Sequence, residues 1–508
     1  MQAPATLLAL LEAGEANAVA IAAPERRPMD RGALARQSRH IVGQLRGLGV
    51  GHQARVAIVL PNGPEMAALF LAVAAGAAAA PLNTAYREEE FDFYLSDIAA
   101  RVLLIQAGLE SPARAVAARR NIPVVEVEAI ASEPAGSLRL VSEGRPVAES
   151  EASFGGPDDI ALVLHTSGTT SRPKIVPLSQ CNLTTSAANI ARGLALMPAD
   201  RCLVVMPLFH IHGLIGALLA SLSAGASVYC PPGFNALRFF AWLDDSEATW
   251  YTAVPTMHQA VLGRAERNRD IVQRRRLRFI RSSSAPLPPP VMRALEETFG
   301  CPVIESYGMT EASHQMASNP LPPAVRKPGT VGLAAGAEVA IMGPDGALLG
   351  RGTAGEIVIR GASVTRGYAN NPAANAEAFR DGWFRTGDLG VLDAEGYLTI
   401  NGRLKEIINR GGEKIAPREV DDVLLDHPAV AQAVTFSLPH DKLGEDVAAA
   451  IVLRENCSAS EQELREFVAG RLADFKVPRR IVFLPEIPKG PTGKPQRIGL
   501  AQRLGLAA

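Results

Sequence analysis

Five cysteines in 508 residues are too few and too scattered to brace a fold. Cys181, Cys202, Cys230, Cys301 and Cys457 contain no C-x-x-C pair. That spacing argues against a disulfide framework or a zinc site and suits reduced thiols in a cytoplasmic protein. Long apolar runs are missing as well. The longest, Ala67 to Leu82, falls short of the ~20 residues a membrane-spanning helix needs, and its alanine and glycine content suits a helix packed inside a sheet protein. The N-terminal MQAPATLLALLEAGEA has no basic segment and carries Glu12 in its apolar run, so no signal peptide is expected. The C-terminal Gly-Leu-Ala-Ala is not an S-K-L peroxisomal address. Charge of one sign is absent: 51 Lys+Arg face 52 Asp+Glu, a formal net charge of −1. Nothing at long range draws this chain to nucleic acid or an acidic membrane. The basic run Arg264 to Arg278 has no interleaved aromatics on which bases could stack, and reads as a solvated helix and loop face.

What remains is 47% hydrophobic and 20% charged, enough apolar material for a large core. Length alone suggests two to four domains. Short β-rich runs alternate with helical patterns: Arg55 to Leu60 before Glu65 to Ala75, Val102 to Ile105 before a helical region, Arg201 to Met206 before Leu214 to Leu222. That alternation predicts βαβ units and mostly parallel sheets. After about Ala335 the pattern changes. Glu338 to Met342 and Glu356 to Arg360 lie between turn signals and predict antiparallel hairpins, a small β-barrel-like part. The last hundred residues return to a mixed pattern: a helix from Pro417, strands near Val430 to Ser437 and Val447 to Leu453, and a helix from Ser460. The Pro-rich Ser284 to Pro290 reads as a loop leading into a helix near Val291.

The chemistry begins at LHTSGTTSRPK, Leu164 to Lys174, directly after an apolar run. Glycine lets consecutive backbone N–H groups converge on one anion. Thr166, Ser167, Thr169 and Thr170 add hydroxyls around Gly168, and Lys174 adds a positive charge. This is a phosphate cradle, yet the lysine comes too late for the Walker pattern. Downstream stand ESYGMTE (Glu305 to Glu311), WFRTGDLG (Trp383 to Gly390), GRLKEIINRGGEKIAPREVD (Gly402 to Asp421) and PTGKPQR (Pro491 to Arg497).

In this order the five blocks resemble the adenylate-forming superfamily of acyl-CoA synthetases, luciferases and peptide-synthetase adenylation domains. The resemblance covers nearly the whole chain. It implies an α/β fold with a large N-terminal AMP-binding and acyl-pocket domain, residues 1–402, and a small mobile α+β C-terminal domain, residues 403–508, hinged at Lys405. It also implies ATP, Mg²⁺ and coenzyme A as reaction partners, and an acyl-adenylate that a thiol then resolves.

The resemblance assigns roles residue by residue. Lys494 bridges the carboxylate and the α-phosphate during adenylation. The cradle from Thr166 to Lys174, with Ser284, Ala285, Glu305, Ser306, Tyr307 and Gly308, surrounds the nucleotide. Tyr307 stacks on adenine, Asp388 accepts the ribose hydroxyls after a short strand, and Arg403 adds a second contact. Thr310 bonds the α-phosphate and Glu311 holds Mg²⁺, which favours oxygen ligands and phosphates. Arg410, Gly411, Gly412 and Glu413 line the pantetheine tunnel. His210, Arg281, Ser282, Ser283 and His314 fall in the acid pocket, with His210 also in the catalytic set. Their grouping suggests a small acid with a second negative charge, because a buried carboxylate requires a cation.

WYTAVPTMHQ, RFIRSSSAP, ESYGMTEASHQMASNPLPP and KPGTVG resemble oxalate–CoA ligases of plants and fungi. Those usually read S-C-S-[AS] and A-Y-A-M-T-E where this chain has SSSA and SYGMTE. The departures at Ser306 and Gly308 bear on the substrate rather than the chemistry. Competing readings are a CoA ligase for malonate, a coumarate-like acid or a medium-chain fatty acid, a carrier-protein-loading adenylation enzyme, and a nucleotide- or RNA-binding protein without turnover. A monomer or homodimer in the cytoplasm, without nucleic-acid or membrane partners, is the expectation.

Overall fold

A computed structural model describes residues 4–166, 173–488 and 496–506. The first βαβ unit runs Arg55–Val59, Pro64–Gly76, Ala78–Pro81: the first strand and the helix are where the pattern puts them, but the apolar run Ala67 to Leu82, read as helical, ends in a strand. Pro64 stands in the first turn, where a missing N–H is harmless. Every residue of this helix except Glu65 is buried, which is why its sequence has no polar stripe. Gly76 is required for that packing: a Cβ there would lie 2.8 Å from the Val42 side chain on the helix Arg31–Gly47.

Two large sheets are built this way. One has eight strands, with Ala78–Pro81, Arg55–Val59, Val102–Gln106 and Val124–Ala129 as its parallel centre. The hairpin Ile160–His165 and Ile175–Ser179 forms one edge. The other has nine strands. Val19–Ala23, Ser227–Tyr229, Arg201–Leu203, Trp250–Ala253, Phe279–Ser282 and Val303–Met309 are successive parallel neighbours, after which His314–Ser318 turns back antiparallel. Between these sheets lies an apolar core that includes Phe70, Leu178, Leu183, Leu214, Leu218 and Trp250.

The change of pattern after Ala335 is a six-stranded antiparallel sheet built on Glu338–Met342, Gly355–Arg360, Trp383–Leu392 and Leu398–Arg403. A fourth sheet of five strands carries the C-terminal part, with Ile408–Arg410, Val430–His440 and Gly444–Leu453 at its heart. Helices Pro417–Leu425 and Glu461–Ala469 cover it, the second capped by Ser460. It has its own core of Ile408, Ile415, Val420, Leu424, Val447, Ile451 and Leu464.

Two local expectations need correction. Asp388 does not follow a short strand; it sits inside the ten-residue strand Trp383–Leu392. Gly387 (φ 74°) bends that strand, and the pairing with Gly355–Arg360 shifts register there. The helix read at Leu214 to Leu222 is a π-helix over His212–Leu219 before one α-turn, Ala220–Ser223. Arg410 to Glu413 is a two-residue hairpin turn between Ile408–Arg410 and Glu413–Ile415; Gly411 (φ 59°) and Gly412 (φ 102°) give it the left-handed pair that such turns demand. The basic run Arg264 to Arg278 is partly neutralised: Arg274 and Arg275 each bond Asp244, at 2.8 and 2.7 Å.

Phe70 is fully buried at the centre of the first core. Replacing it by alanine should lower unfolding stability by about 3–5 kcal/mol, read from urea denaturation midpoints. A loss under about 1 kcal/mol would mean that the core collapses around the gap.

Candidate active site

Parallel strands end together, and in open α/β sheets the crevice at their carboxyl ends is where ligands bind. Here Ala253, Ser282 and Glu305 stand in register across three neighbouring strands. The chain leaves Phe279–Ser282 through Ser283 and Ser284. Ser283 Oγ donates to the Ser306 carbonyl at 3.0 Å and Ser306 Oγ to the Ser282 carbonyl at 3.4 Å, so two strand ends are stitched side by side. Ser284 holds a left-handed backbone (φ 71°), half-buried, with Ala285 beside it. Glu305 is buried beneath and accepts the Leu287 N–H at 3.0 Å.

On one side of this crevice two phenols meet two acids. Tyr307 donates to one oxygen of the buried Asp388, and Arg403 Nε lies 3.1 Å from the other. The pairing of Asp388 with Arg403 across adjacent strands sets that contact. Tyr368 donates to Glu311 Oε1 at 2.8 Å, while Lys174 Nζ stands 4.6 Å from the Tyr368 ring centroid. Burial raises the Glu311 pKa, opposed by the Tyr368 hydroxyl and by Lys174. Thr310 is half-buried beside it. The Thr166 N–H donates to the Lys174 carbonyl at 2.9 Å. Ser167, Gly168, Thr169, Thr170 and Lys494 lie outside the described residues. The sequence contained no signal for Tyr368; its coupling of Lys174 to Glu311 needs the third sheet packed against the hairpin.

On the other side stands a buried polar cluster. Arg281 is fully buried on Phe279–Ser282, donating through Nη1 to His314 Nε2 at 3.0 Å and through Nη2 to Gln315 Oε1 at 2.9 Å. No ion pair joins it to a carboxylate among the described residues. Desolvation lowers its pKa from its ordinary value to about 9, so it remains a cation at neutral pH. The His212 ring stacks on His314 with centroids 4.7 Å apart. His212 is held by Thr252 Oγ1 at 2.6 Å and Ser284 Oγ at 3.1 Å. Burial, with His314 and Arg281 nearby, drives it far below the ordinary imidazole range. His210 stands half-buried at the head of this segment, its Nδ1 3.4 Å from the His212 N–H. Ser282 is buried, and its hydroxyl has no partner among the described residues.

Two constraints shape this cluster. A Cβ on Gly216 would lie 2.6 Å from His314 Nε2 and 3.1 Å from Arg281 Nη1, so the π-helix must offer glycine there. Ser313 and His314 both hold left-handed backbones (φ 51° and 97°), a strained pair for non-glycine residues. Ser186 Oγ, donating to the Ser313 carbonyl at 2.6 Å, pins it. The sequence pointed to Arg281, Ser282, Ser283 and His314, and the fold brings them together. Thr252, Gln315 and Gly216 were not legible, because only packing joins them.

The C-terminal sheet holds the Arg410–Glu413 turn through Asp446, which accepts from Arg410 Nε at 2.7 Å. Arg479 and His440 reach the same carboxylate at 3.6 and 4.0 Å, beside a cavity of about 860 Å³. Arg418 Nη1 donates to the Ile400 carbonyl at 2.9 Å and Arg497 Nε lies 3.3 Å from Glu406, so this sheet packs against the strand leading to Lys405, which is exposed.

Comparison with known proteins agrees with this layout. The family model described as "AMP-binding enzyme" matches residues 12–369, and the model "AMP-binding enzyme C-terminal domain" matches 419–494. The chain belongs to the AMP-binding enzyme family. It is 47% identical over 451 residues to an oxalate–CoA ligase of Arabidopsis thaliana, covering 88% of each chain. It is 42% identical over 477 residues to an oxalate–CoA ligase of Saccharomyces cerevisiae, covering 89% of this chain and 87% of that one. The ATP-bound structure of MatB from Rhodopseudomonas palustris superposes with a TM-score of 0.88 at 29% identity over 98% of both chains. This member of the family is an ATP-dependent, AMP-forming acid–CoA ligase.

Glu305 yields a pH test of the strand-end packing. Burial raises its carboxyl from 4.5 to about 7. A raised acid pKa means the folded state holds its proton more tightly, so this group's contribution to stability falls as pH rises from about 4.5 to about 7 and is flat above. Glu305→Gln keeps an acceptor for Leu287 and should flatten that slope, with a gain on the order of 2–3 kcal/mol at pH 8 relative to pH 4.5. Urea denaturation of parent and variant at both pH values measures it; parallel pH dependence would rule the assignment out.

Proposed function

We propose that the acid is oxalate, and that the reaction is oxalate + ATP + CoA to oxalyl-CoA, AMP and diphosphate. The observation that carries this is a fully buried guanidinium, Arg281, without a carboxylate partner among the described residues and one imidazole away from the strand-end crevice. An uncompensated buried cation favours an anion brought next to it. The space behind His314 is occupied by Arg281, Gln315 and the close-approaching Gly216, so an acyl chain has no tunnel to enter there. This closed end favours a two-carbon diacid over a fatty acid or a coumarate-like acid. The two oxalate–CoA ligases among the relatives support the same substrate.

In this reading one oxalate carboxylate attacks the α-phosphorus of ATP and expels diphosphate. The other lies against His314 and the Ser282 to Ser284 turn. Adenine stacks on Tyr307, the ribose hydroxyls reach Asp388 and Arg403, and the cradle from Thr166 to Lys174 takes phosphates together with Thr310. Glu305, Ser306 and Gly308 provide the floor, with Ser284 and Ala285 as the opposite edge. His210 stands at the mouth. Mg²⁺ fits Glu311: a single carboxylate leaves positions for phosphate oxygens, which is how this hard cation is usually shared. When bound it neutralises phosphate charge. Coenzyme A then supplies the thiolate that displaces AMP at the acyl carbon, past the turn Arg410, Gly411, Gly412 and Glu413. Residues 1–402 and 403–508 act as the two domains, and rotation at Lys405 exchanges Lys494 for that turn. The compartment is cytoplasmic.

Two experiments test these assignments. Diphosphate release with a panel of acids should rank oxalate first, above malonate, acetate, octanoate and coumarate. His314→Ala should lower kcat/KM for oxalate by about 10- to 100-fold, the loss of one charge-assisted hydrogen bond, and leave the weak acetate rate nearly unchanged. A tenfold preference for octanoate or coumarate would overturn the diacid reading, and transfer to a carrier protein but not to free CoA would overturn the acceptor. Lys494→Ala should abolish adenylation while thioester formation from preformed oxalyl-adenylate persists; equal loss in both halves would contradict the domain exchange.

A further inference from the structure

We propose that Arg281 is a positioning residue that holds His314 as the neutral imidazole protonated on Nδ1, so that His314 meets the acid as a fixed, uncharged N–H donor. The geometry is direct. Guanidinium has five donors and no acceptor, so a 3.0 Å contact from Arg281 Nη1 to His314 Nε2 requires that Nε2 be the bare, accepting nitrogen. In a neutral ring the proton then resides on Nδ1. A doubly protonated ring would aim an N–H at an N–H, beside a cation already buried without a carboxylate.

Arg281 cannot turn away from this duty. Its other branch is tied to Gln315 Oε1 at 2.9 Å, and the π-helix closes over it at Gly216, with only 3.1 Å between Nη1 and the position of an added Cβ. The groups facing His314 reinforce neutrality. Stacked His212 is fully buried, held by the Thr252 and Ser284 hydroxyls and far below its ordinary pKa; His210 and His258 add to that depression. Cys202 lies near Arg281 as a buried thiol whose pKa is raised well above normal by desolvation. Glu311, three residues before His314, is engaged by Tyr368. The consequence is a recognition element whose donor does not vanish as pH rises past the usual imidazole range. The bond partner, by chemistry, is one oxygen of a small carboxylate; this part rests on the acid pocket proposed above.

Solid-state ¹⁵N spectra of the full chain labelled with ¹⁵N-histidine test the tautomer, with His314→Asn used only to assign the signal. The parent should show His314 as the Nδ1-protonated neutral ring, unchanged between pH 6 and 8. Arg281→Lys, which still offers a cationic donor to Nε2, should keep that signature. Arg281→Met should lose it, and should raise KM for the acid by roughly 10- to 100-fold with KM for ATP within about twofold, which also verifies folding. An Nε2-protonated or cationic His314 in the parent, or an unchanged signature in Arg281→Met, would overturn the proposal. The parent spectrum needs no substrate. An Nδ1-protonated His314 in an enzyme that prefers another acid would therefore sink the oxalate reading while leaving this one standing.

Discussion

A full positive charge buried among strands, with no carboxylate to meet it among the described residues, governs the geometry around it. Desolvating a guanidinium costs several kcal/mol even after relaxation, and Arg281 recovers part of this through Gln315 and His314. Those two partners open one short strand, His314–Ser318, with His314 itself the second member of the left-handed pair Ser313 and His314. The π-helix opposite must come close enough to cover the charge, which leaves room for glycine alone at Gly216. One extra residue per turn in a π-helix is a known device for re-aiming side chains at sites, and here it sets His212 against His314. Burial of charge, backbone strain and close packing are thus parts of one arrangement.

The other side of the crevice is held by different contacts. Tyr307 and Tyr368 come from separate segments, and each donates to an acid on another: Asp388 and Glu311. These bonds cross from the nine-stranded sheet to the third sheet and its lead-in. Asn182 and Thr365 tie the same lead-in to the eight-stranded sheet, at its edge strand Ile175–Ser179 and the helix that follows it. Asn182 Nδ2 donates to the Ala362 and Val364 carbonyls at 2.7 and 3.2 Å, and Thr365 Oγ1 to the Pro177 carbonyl at 2.8 Å. Without that lead-in, Lys174 and Glu311 would have no common neighbour. A buried polar network of this kind, with its members satisfied, gives a rigid and specific junction.

Much of the fold was legible along the chain. The βαβ alternation, the turn-rich change after Ala335 and the return to mixed structure after Pro417 all follow from period and punctuation. Helix starts at Pro417 and Ser460 were readable, and the helix read from Glu65 begins one residue earlier, at Pro64. Strand ends and local geometry were less so. The strand around Asp388 looked short because glycine and aspartate, at Gly387 and Asp388, are poor strand formers, yet pairing on both sides carries it through to Leu392. The π-helix was invisible because an apolar run looks the same at 3.6 residues per turn and at a wider pitch.

By its residues alone, this chain determined the family and the order of its motif blocks. Those depend on local spacing, which a linear text preserves. Tertiary structure decided which of them touch. Arg281 reads in the sequence as one of a group of polar residues, and the fold gives it its partners, His314 and Gln315, because its strand is central and its guanidinium reaches the neighbouring element. Gln315, Thr252, Gly216 and Tyr368 carry no motif; each matters only through a partner tens of residues away. Contacts between distant segments come from packing, and packing is a property of the folded chain rather than of any window within it.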